Sequence, residues 1–285
     1  MPRLFDKITI AGVGLIGGSL ALAARAKGIV GEVVGFGRTE PNLRLARERG
    51  IIDAYSLDAR QAASGADLLF LSVPVGSMAS VVSSCAPALR ADAIISDAGS
   101  VKAAVVREVE GVLPEKMSFV GAHPIAGGEQ AGAAAARADL FAGSPCIITP
   151  GAKSASTAVR KIRDLWEALG MKVVEMDADS HDALLARVSH LPHVLAFALM
   201  DAVRGRSEAV AKLAGASFRD LTRIAASPTE VWSDIFVANR SELNVALDEF
   251  SVAFEELRGA IASGDHAALR SLIERARQAH AKISR

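Results

Sequence analysis

The chain has 285 residues, 51% of them hydrophobic and 22% charged, with 32 basic and 32 acidic side chains. That length allows one or two domains, each with a hydrophobic core. The balanced charge gives no electrostatic basis for binding nucleic acid or an anionic membrane surface. Cys85 and Cys146 are too few for a disulfide framework and stand in no metal-ligand spacing, so we expect no metal site.

The N-terminus reaches an apolar stretch by Ile8, which leaves no room for a signal peptide. No apolar run approaches the length that a membrane-spanning helix requires. We therefore expect a cytoplasmic protein.

A glycine pattern of the form G-x-G-x-x-G follows the first apolar run, at 8–11, and opens a helical segment. A second strand at 32–36 comes at βαβ spacing. The first glycine permits a tight turn, the second lets the backbone approach a pyrophosphate, and the third allows close packing of helix on strand. The sequence therefore predicts a dinucleotide site rather than a purely structural turn. Its residues are Gly12, Gly14, Leu15, Ile16 and Gly17.

The end of the second strand bears on the choice of cofactor. Gly37 stands about where an NAD-binding protein is expected to carry an acidic residue for the ribose hydroxyls. Arg38 and Thr39 follow, and these two side chains could hold the 2′-phosphate of NADP. In the alternative, Arg38 is a solvated loop residue and Glu40 contacts the ribose. We favour NADP or dual use over strict NAD use.

Apolar strand-like runs alternate with helical patterns through the first part of the chain, which predicts an α/β fold with a mainly parallel, doubly wound sheet. The runs lie at 8–11, 32–36, 67–73, 93–97, 118–122, 145–149 and 172–176. Several end in small or polar residues at the carboxyl edge, where such sheets bind ligands. Those assigned to the cofactor are Ser72, Val73 and Pro74. The strand pattern stops after Asp177, so we place a dinucleotide-binding domain at 1–178.

Residues 179–285 have helical periodicity throughout. Apolar spacing from Leu243 to Ile261 predicts one long helix with a broad hydrophobic stripe, and a last helix follows near 266–282. The segment 227–230, Ser-Pro-Thr-Glu, has the form of a capping box and predicts a helix that carries Trp232. We expect an all-helical bundle that packs on the first domain and pairs two copies of the chain.

His123 is the strongest candidate for chemistry. It lies between a predicted strand end and the glycine-rich turn of 121–130, Gly-Ala-His-Pro-Ile-Ala-Gly-Gly-Glu-Gln. A neutral imidazole there can accept a hydroxyl proton while a hydride leaves the same carbon. In the alternative it is tied into a loop hydrogen bond. Ser100 lies at the same sheet edge and is either a helix N-cap or a group that bonds substrate or orients the imidazole.

Two further motifs lie in the helical part. In the segment 189–193, Ser-His-Leu-Pro-His, the proline is expected to kink a helix that carries two histidines. No cysteine or carboxylate at helical spacing supports metal binding, so we assign His190 to the ligand and give the other histidine a structural role. Arg219 and Arg223 repel each other mildly at i and i+4. Acidic side chains could pair with them, or Arg223 could hold a substrate carboxylate through a bidentate contact.

Taken in order, these segments resemble the prephenate and arogenate dehydrogenases of tyrosine biosynthesis over nearly the whole chain. The matching segments are the glycines of 12–17, Ser-Val-Pro-Val at 72–75, Asp-Ala-Gly-Ser-Val-Lys at 97–102, His-Pro-Ile-Ala-Gly at 123–127, the motif at 189–193, and Phe-Arg-Asp-Leu-Thr-Arg-Ile-Ala at 218–225. The resemblance implies a Rossmann-type domain, an all-α C-terminal dimerisation domain, and NAD(P)-dependent oxidative decarboxylation of a cyclohexadienol.

The resemblance also implies roles for single residues. His123 would be the catalytic histidine that bonds the ring hydroxyl, Ser100 would bond the same region, and Arg223 would hold a substrate carboxylate. The residues that match the pocket entrance are Glu129, Asp220 and Trp232. Prephenate and arogenate remain alternative substrates.

Two other classes stay open. A β-hydroxyacid dehydrogenase would be expected to carry a catalytic lysine where this chain has His190 to His193. A non-catalytic dinucleotide-sensing dimer would need no histidine beside the nicotinamide.

Overall fold

The computed structural model of the chain describes residues 2–128 and 130–283. Glu129, predicted at the pocket entrance, lies outside the described residues. The described chain divides into two compact units, one ending at Asn239 and the other beginning at Arg240.

The first unit is built on a single eight-stranded sheet with the strand order β3-β2-β1-β4-β5-β6-β7-β8. Neighbouring strands are parallel except β6 and β7, which are antiparallel. This confirms the predicted, mainly parallel α/β sheet. The strands are β1 (Phe5–Ala11), β2 (Val30–Phe36), β3 (Ala54–Ser56), β4 (Leu68–Leu71), β5 (Ile94–Asp97), β6 (Ser118–Pro124), β7 (Pro145–Pro150) and β8 (Lys172–Glu175).

Helices cover both faces of the sheet because its central strands are apolar on both sides. In β4, Leu68 and Phe70 belong to one buried cluster, whereas Leu69 and Leu71 belong to the other. This alternation is the two-residue period of a strand. The helices between strands are α1 (Leu15–Ala26), α2 (Glu40–Glu48), α3 (Ala59–Ala63), α4 (Met78–Cys85), α5 (Ala103–Val112) and α6 (Ser156–Ala168).

Strand β3 is the one that the sequence pattern did not predict. It has three half-buried residues, Ala-Tyr-Ser, and pairs with β2 at the edge of the sheet. A strand this short carries no apolar run, so its place depends on the neighbouring strand. All seven predicted strands are present, with their ends shifted by three residues or fewer.

After β8 the described chain is helical, as predicted. Its elements are α7 (Ala178–Leu185), a π turn (Ala186–His190), α8 (Leu191–Val203), α9 (Ser207–Leu213), α10 (Ala216–Thr222), α11 (Thr229–Ala238), α12 (Arg240–Ser263) and α13 (His266–Ile283). Helices α7 to α11 belong to the same compact unit as the sheet. The predicted domain boundary at 178/179 lies within this unit, shortly after the last strand ends.

The helical stretch Ala178–Val203 differs from the expectation that no segment approaches the length of a membrane span. It is long and apolar enough to cross a membrane by length and composition, and 22% of its most apolar window is buried. The buried part includes His181, Asp182 and His190, which are hydrogen-bonded within this unit. Helices with buried, bonded polar groups are also found at the core of water-soluble proteins.

The predicted capping box at 227–230 is wrong in detail. Helix α11 begins at Thr229 as expected and carries Trp232, but Pro228 occupies the cap position and no side chain caps the helix. The chain enters this helix through the fixed backbone angle of the proline, so the Ser227 hydroxyl is not needed there.

Candidate active site

The glycine turn after β1 has the shape that a dinucleotide site requires. Gly12 has φ +88°, and a Cβ atom there would lie 2.3 Å from the Ser72 carbonyl oxygen. A Cβ atom on Gly17 would lie 2.4 Å from the Gly12 carbonyl oxygen, whereas one on Gly14 would have nothing within 4 Å. The outer glycines are thus needed for packing, and the space beside the middle one can take a ligand.

The start of helix α1 is suited to an anion. Gly14 is its N-cap residue and supplies no side-chain hydrogen bond, so the backbone N–H groups of the first turn are available to phosphate oxygens. The side chain of Ser72 faces the glycine turn and stabilises it, because its hydroxyl donates to the Gly12 carbonyl oxygen at 2.6 Å. Val73 and Pro74 continue from it, both half-buried.

The residues predicted to set cofactor preference are accessible. Arg38 and Thr39 are exposed after the end of β2. A Cβ atom on Gly37 would make only ordinary contact with Leu43, at 3.7 Å. A Cβ atom is therefore not crowded at position 37.

His123 lies at the end of β6 and begins a chain of hydrogen bonds that we call the relay, formed by His123, His181 and Asp182. The Nδ1 atom of His123 lies 2.9 Å from Nε2 of His181, and Nδ1 of His181 lies 2.7 Å from Oδ1 of Asp182. A carboxylate can only accept, so His181 carries its proton on Nδ1 and its Nε2 accepts. His123 therefore donates through Nδ1 and keeps a lone pair on Nε2.

Asp182 is fixed from a second direction. Its Oδ1 accepts the backbone N–H of Lys102 at 2.7 Å, and its Oδ2 accepts that of Ala103 at 2.9 Å. Asp182 thus caps α5 from another helix, with the charge favoured by the helix dipole. Helix α5 begins at Ala103, so Ser100 is not its N-cap, and the capping interpretation of Ser100 is wrong.

The backbone before His123 is held by a buried ion pair. Asp97 and Lys102 are both fully buried and bonded to each other. The Lys102 ammonium donates to the Ala122 carbonyl oxygen at 2.9 Å, and Oδ1 of Asp97 accepts the Ala122 N–H at 2.9 Å. Because each charge is paired and hydrogen-bonded, the pair is tolerated in the interior and fixes the peptide next to His123.

The surroundings keep His123 neutral. Burial is the main factor that holds the pKa of His123 well below its usual value of 6.5, and the neighbouring His181, Lys102 and His190 lower it further. Its Nε2 makes no hydrogen bond to any residue of 2–128 or 130–283. The site therefore offers a lone pair that is ready to accept a proton.

His190 and His193, which we call the helix pair, flank the end of the π turn. His190 is fully buried, and its Nδ1 lies 3.0 Å from Nδ2 of Asn239. The Nδ1 of His193 donates to the Ser189 carbonyl oxygen at 2.9 Å. The predicted proline kink takes the form of this π turn, with Pro192 in the first turn of α8.

Trp232 and Arg223 lie beside the helix pair. The indole of Trp232 stacks on His193, with 3.4 Å between ring centroids, and meets His190 edge-on at 6.1 Å. Burial lowers the pKa of His193 most, and the charge of Arg223 lies close enough to lower it further. Both Arg223 and Asp220 are exposed. The structure thus brings four predicted residues into one connected region: His123, His190, Arg223 and Trp232.

The glycine turn and the loop that follows His123 meet at the carboxyl edge of the sheet. A Cβ atom on Gly128, in the loop after His123, would lie 3.5 Å from the side chain of Leu15 in the glycine turn. Among residues 2–128 and 130–283 no cluster of three or more histidine, cysteine or acidic side chains could hold a metal ion.

Sequence reasoning missed His181, Asp182 and Asn239. His181 is 58 residues from His123 along the chain, so no local spacing connects them. One signal was present in the sequence. His181 and Asp182 precede the apolar Leu185 by about one helical turn, so they lie on the face that an amphipathic helix buries. A polar pair there needs partners inside the protein.

A dinucleotide-binding turn and a half-buried, neutral histidine at one sheet edge define a dinucleotide-dependent dehydrogenase with a helical C-terminal region. Two family models match the chain in succession: the nucleotide-binding domain of prephenate dehydrogenase over residues 20–175, and its dimerization domain over residues 177–275. The chain belongs to the prephenate dehydrogenase family.

Relatives and solved structures agree with this assignment. The chain is 40% identical to a cyclohexadienyl dehydrogenase of Zymomonas mobilis, over 92% of this chain and 90% of that one. It is similar to the crystal structure of prephenate dehydrogenase from Aquifex aeolicus with hydroxyphenyl propionate and NAD+, with a TM-score of 0.91, 31% identity and 98% coverage of both chains. The Synechocystis arogenate dehydrogenase has a TM-score of 0.81 and 27% identity, covering 97% of this chain and 99% of that one.

Proposed function

We propose that the protein catalyses the NAD(P)-dependent oxidative decarboxylation of prephenate to 4-hydroxyphenylpyruvate, of arogenate to tyrosine, or of both. The observation that carries this proposal is the relay, which leaves a lone pair on Nε2 of His123 at the sheet edge that also carries the glycine turn. Family membership supplies the substrate class. A β-hydroxyacid dehydrogenase fits less well, because the helix pair occupies the place of its lysine.

The glycine turn fits the cofactor. The open space beside Gly14 and the uncapped start of α1 can receive a pyrophosphate, and we assign the flanking contacts to Leu15, Ile16 and the segment 72–74. When bound, the nicotinamide supplies the hydride acceptor for the reaction.

His123 acts as the general base in this proposal. Its Nε2 accepts the proton of the ring hydroxyl from the carbon that gives up the hydride. The imidazolium that forms is stabilised through its Nδ1–H bond to His181, which is in turn oriented by Asp182. Loss of the ring carboxylate as carbon dioxide leaves its electron pair in the ring, and His123 returns the proton to the oxygen as the ring becomes aromatic.

The remaining residues position the substrate. We assign Arg223 to a substrate carboxylate, because a guanidinium binds one through two parallel hydrogen bonds. Trp232 and the helix pair form a wall beside Arg223. Ser100 lies near His190: burial lowers the pKa of His190, and the Ser100 backbone opposes this to a smaller extent. We place Asp220 and Glu129 at the entrance.

We propose NADP or dual cofactor use. Arg38 and Thr39 are exposed beyond β2, and position 37 has no acidic side chain. Arg38→Ala should raise KM for NADP about tenfold and leave KM for NAD little changed, since one charged hydrogen bond is lost. Equal changes for both cofactors would remove Arg38 from the 2′-phosphate site.

We propose that the working form is a cytoplasmic homodimer, in which the dinucleotide-binding region 1–178 is followed by the helical substrate and dimerisation region 179–285. Large apolar side chains on α12 are exposed in the single chain, among them Val252, Phe254 and Ile261. Such a face needs a partner, and the match to a dimerization domain supports a second copy. Light scattering of the purified protein would test this: a monomer at micromolar concentration would contradict it.

The first experiment is a spectrophotometric assay of the purified protein. Prephenate and arogenate are each combined with NAD and with NADP, and formation of the reduced nicotinamide is followed. Turnover in any combination supports the proposal and fixes both preferences. Silence in all four, with cofactor binding intact, would overturn it and favour a dinucleotide-sensing dimer.

A further inference from the structure

His190 has a buried nitrogen whose role the reaction does not explain. The side chain is fully buried, and its Nε2 forms no hydrogen bond with the described residues 2–128 and 130–283. Buried polar atoms are nearly always paired, so an unpaired one requires a reason.

Asn239 determines which nitrogen of His190 carries the proton. Its Nδ2 donates to the Asp182 carbonyl oxygen at 2.9 Å and lies 3.0 Å from Nδ1 of His190. A carbonyl oxygen cannot donate, so the amide nitrogen rather than its oxygen must face Asp182. The second amide hydrogen then points to His190, whose Nδ1 accepts it. The proton of His190 is therefore on Nε2.

The surroundings keep this imidazole uncharged. The pKa of His190 is lowered to about 4, mainly by burial. His181 and His193 also lower it, whereas Asp182 and the Ser100 backbone raise it. At neutral pH the ring is a neutral N–H donor. Its neighbours are the Ser100 backbone and the edge of Trp232, both in the region that we assign to substrate.

We propose that Asn239 is a positioning residue that holds His190 as the Nε2–H tautomer, and that this N–H donates to an oxygen of the bound substrate beside Ser100. The identity of that substrate rests on the proposed function. The tautomer does not, because it follows from Asn239 and Asp182 alone.

His193 provides an internal comparison. Its Nδ1 faces the Ser189 carbonyl oxygen at 2.9 Å, so its proton is on Nδ1 and its Nε2 is an acceptor. The helix pair thus presents one donor and one acceptor, three residues apart. Only the donor depends on Asn239.

Nitrogen NMR of the full-length protein tests the tautomer. Two-bond proton–nitrogen spectra of protein labelled in histidine distinguish the two neutral forms, and His→Gln variants assign the signals. We expect His190 as Nε2–H and His193 as Nδ1–H. In Asn239→Asp the new carboxylate should move the proton of His190 to Nδ1 and leave His193 unchanged. The control is Asn244→Asp, the same charge change at an exposed position.

Ligand binding tests the donated hydrogen bond. A glutamine side chain can place an N–H near the position of Nε2, whereas asparagine is too short. His190→Asn and Asn239→Ala should each weaken binding of hydroxyphenyl propionate about tenfold by calorimetry, the loss expected for a hydrogen bond to a charged group. His190→Gln should bind more tightly than His190→Asn by about fivefold.

Three results would overturn the proposal: wild-type His190 protonated on Nδ1, an unchanged tautomer in a folded Asn239→Asp, or equal binding by the two His190 variants. The wild-type spectrum needs no variant, so misfolding of Asn239→Asp leaves the first result decisive. If prephenate and arogenate both fail as substrates while the spectrum shows the expected tautomer, the proposed function fails and the role of Asn239 stands.

Discussion

The relay and the helix pair are fixed by different kinds of neighbour. In the relay the final partner is a carboxylate, Asp182, which orients His181 and through it His123. In the helix pair the partners are neutral: the Asn239 amide and the Ser189 carbonyl. A carboxylate stabilises a positive charge that forms during a reaction more strongly than a neutral amide or carbonyl group does. We therefore propose that the relay transfers the proton and that the helix pair contributes to binding.

The largest expected effect is at His123. His123→Asn removes the only nitrogen in the relay that faces the site, so kcat should fall about a thousandfold, the scale of general-base catalysis. Cofactor affinity, measured by fluorescence titration, should stay within twofold. Substantial turnover would show that the proton goes elsewhere.

Asp182→Asn should have the next largest effect. An asparagine cannot accept at both positions, so its NH2 group would face either a backbone N–H of α5 or the Nδ1–H of His181. We expect kcat to fall about a hundredfold, with KM for the cofactor unchanged. Asp179→Asn, an exposed change on the same helix, is the matched control. If both variants retained full activity, the charge would not contribute to the relay.

Acid should destabilise the protein through His190. Its pKa is about 4 in the folded chain and about 6.5 when unfolded. The unfolded state thus binds more protons between these values, and stability falls as pH drops from about 6.5 to about 4. Urea unfolding at neutral pH and near pH 5 should show His190→Gln losing about 2 kcal/mol less than wild type. The exposed change His266→Gln should behave like wild type; an equal acid loss in all three would contradict the assignment.

The smallest effect is expected at Arg223, which belongs to neither the relay nor the helix pair. Arg223→Ala should raise KM for the substrate about tenfold with a smaller change in kcat, because a charged hydrogen bond to a carboxylate is lost. Arg223→Lys should fall between, since an ammonium keeps the charge but not the paired geometry. Steady-state kinetics decide, and an unchanged KM in both variants would remove Arg223 from the pocket.

The glycine turn and the sheet were predictable because their signals are local. Glycines at fixed spacing and apolar runs of strand length depend on the chain within a few residues. The short strand β3 was not predictable, since its three residues pair through the backbone of β2.

The relay was only half predictable. His123 stands in a distinctive segment, but its partners come from α7, and only the folded chain brings them together. The same holds for the start of α5, where Ser100 was the local candidate for the cap and Asp182 supplies it from 79 residues away. Caps and relays made between elements leave no periodic trace in either segment.

The π turn at Ala186–His190 has a consequence for how the chain can change. Each residue of an α-helix advances the next side chain by about 100°, and a π turn accommodates additional backbone within an otherwise regular helix. Deleting one residue from this turn would let α7 and α8 join as one regular helix. Because the π turn already absorbs the additional residue, the side chains of α8 would keep their orientation relative to those of α7 after such a deletion. A one-residue deletion should therefore be tolerated better within this turn than in the regular part of α7 or α8, where it would rotate the following side chains by about 100°.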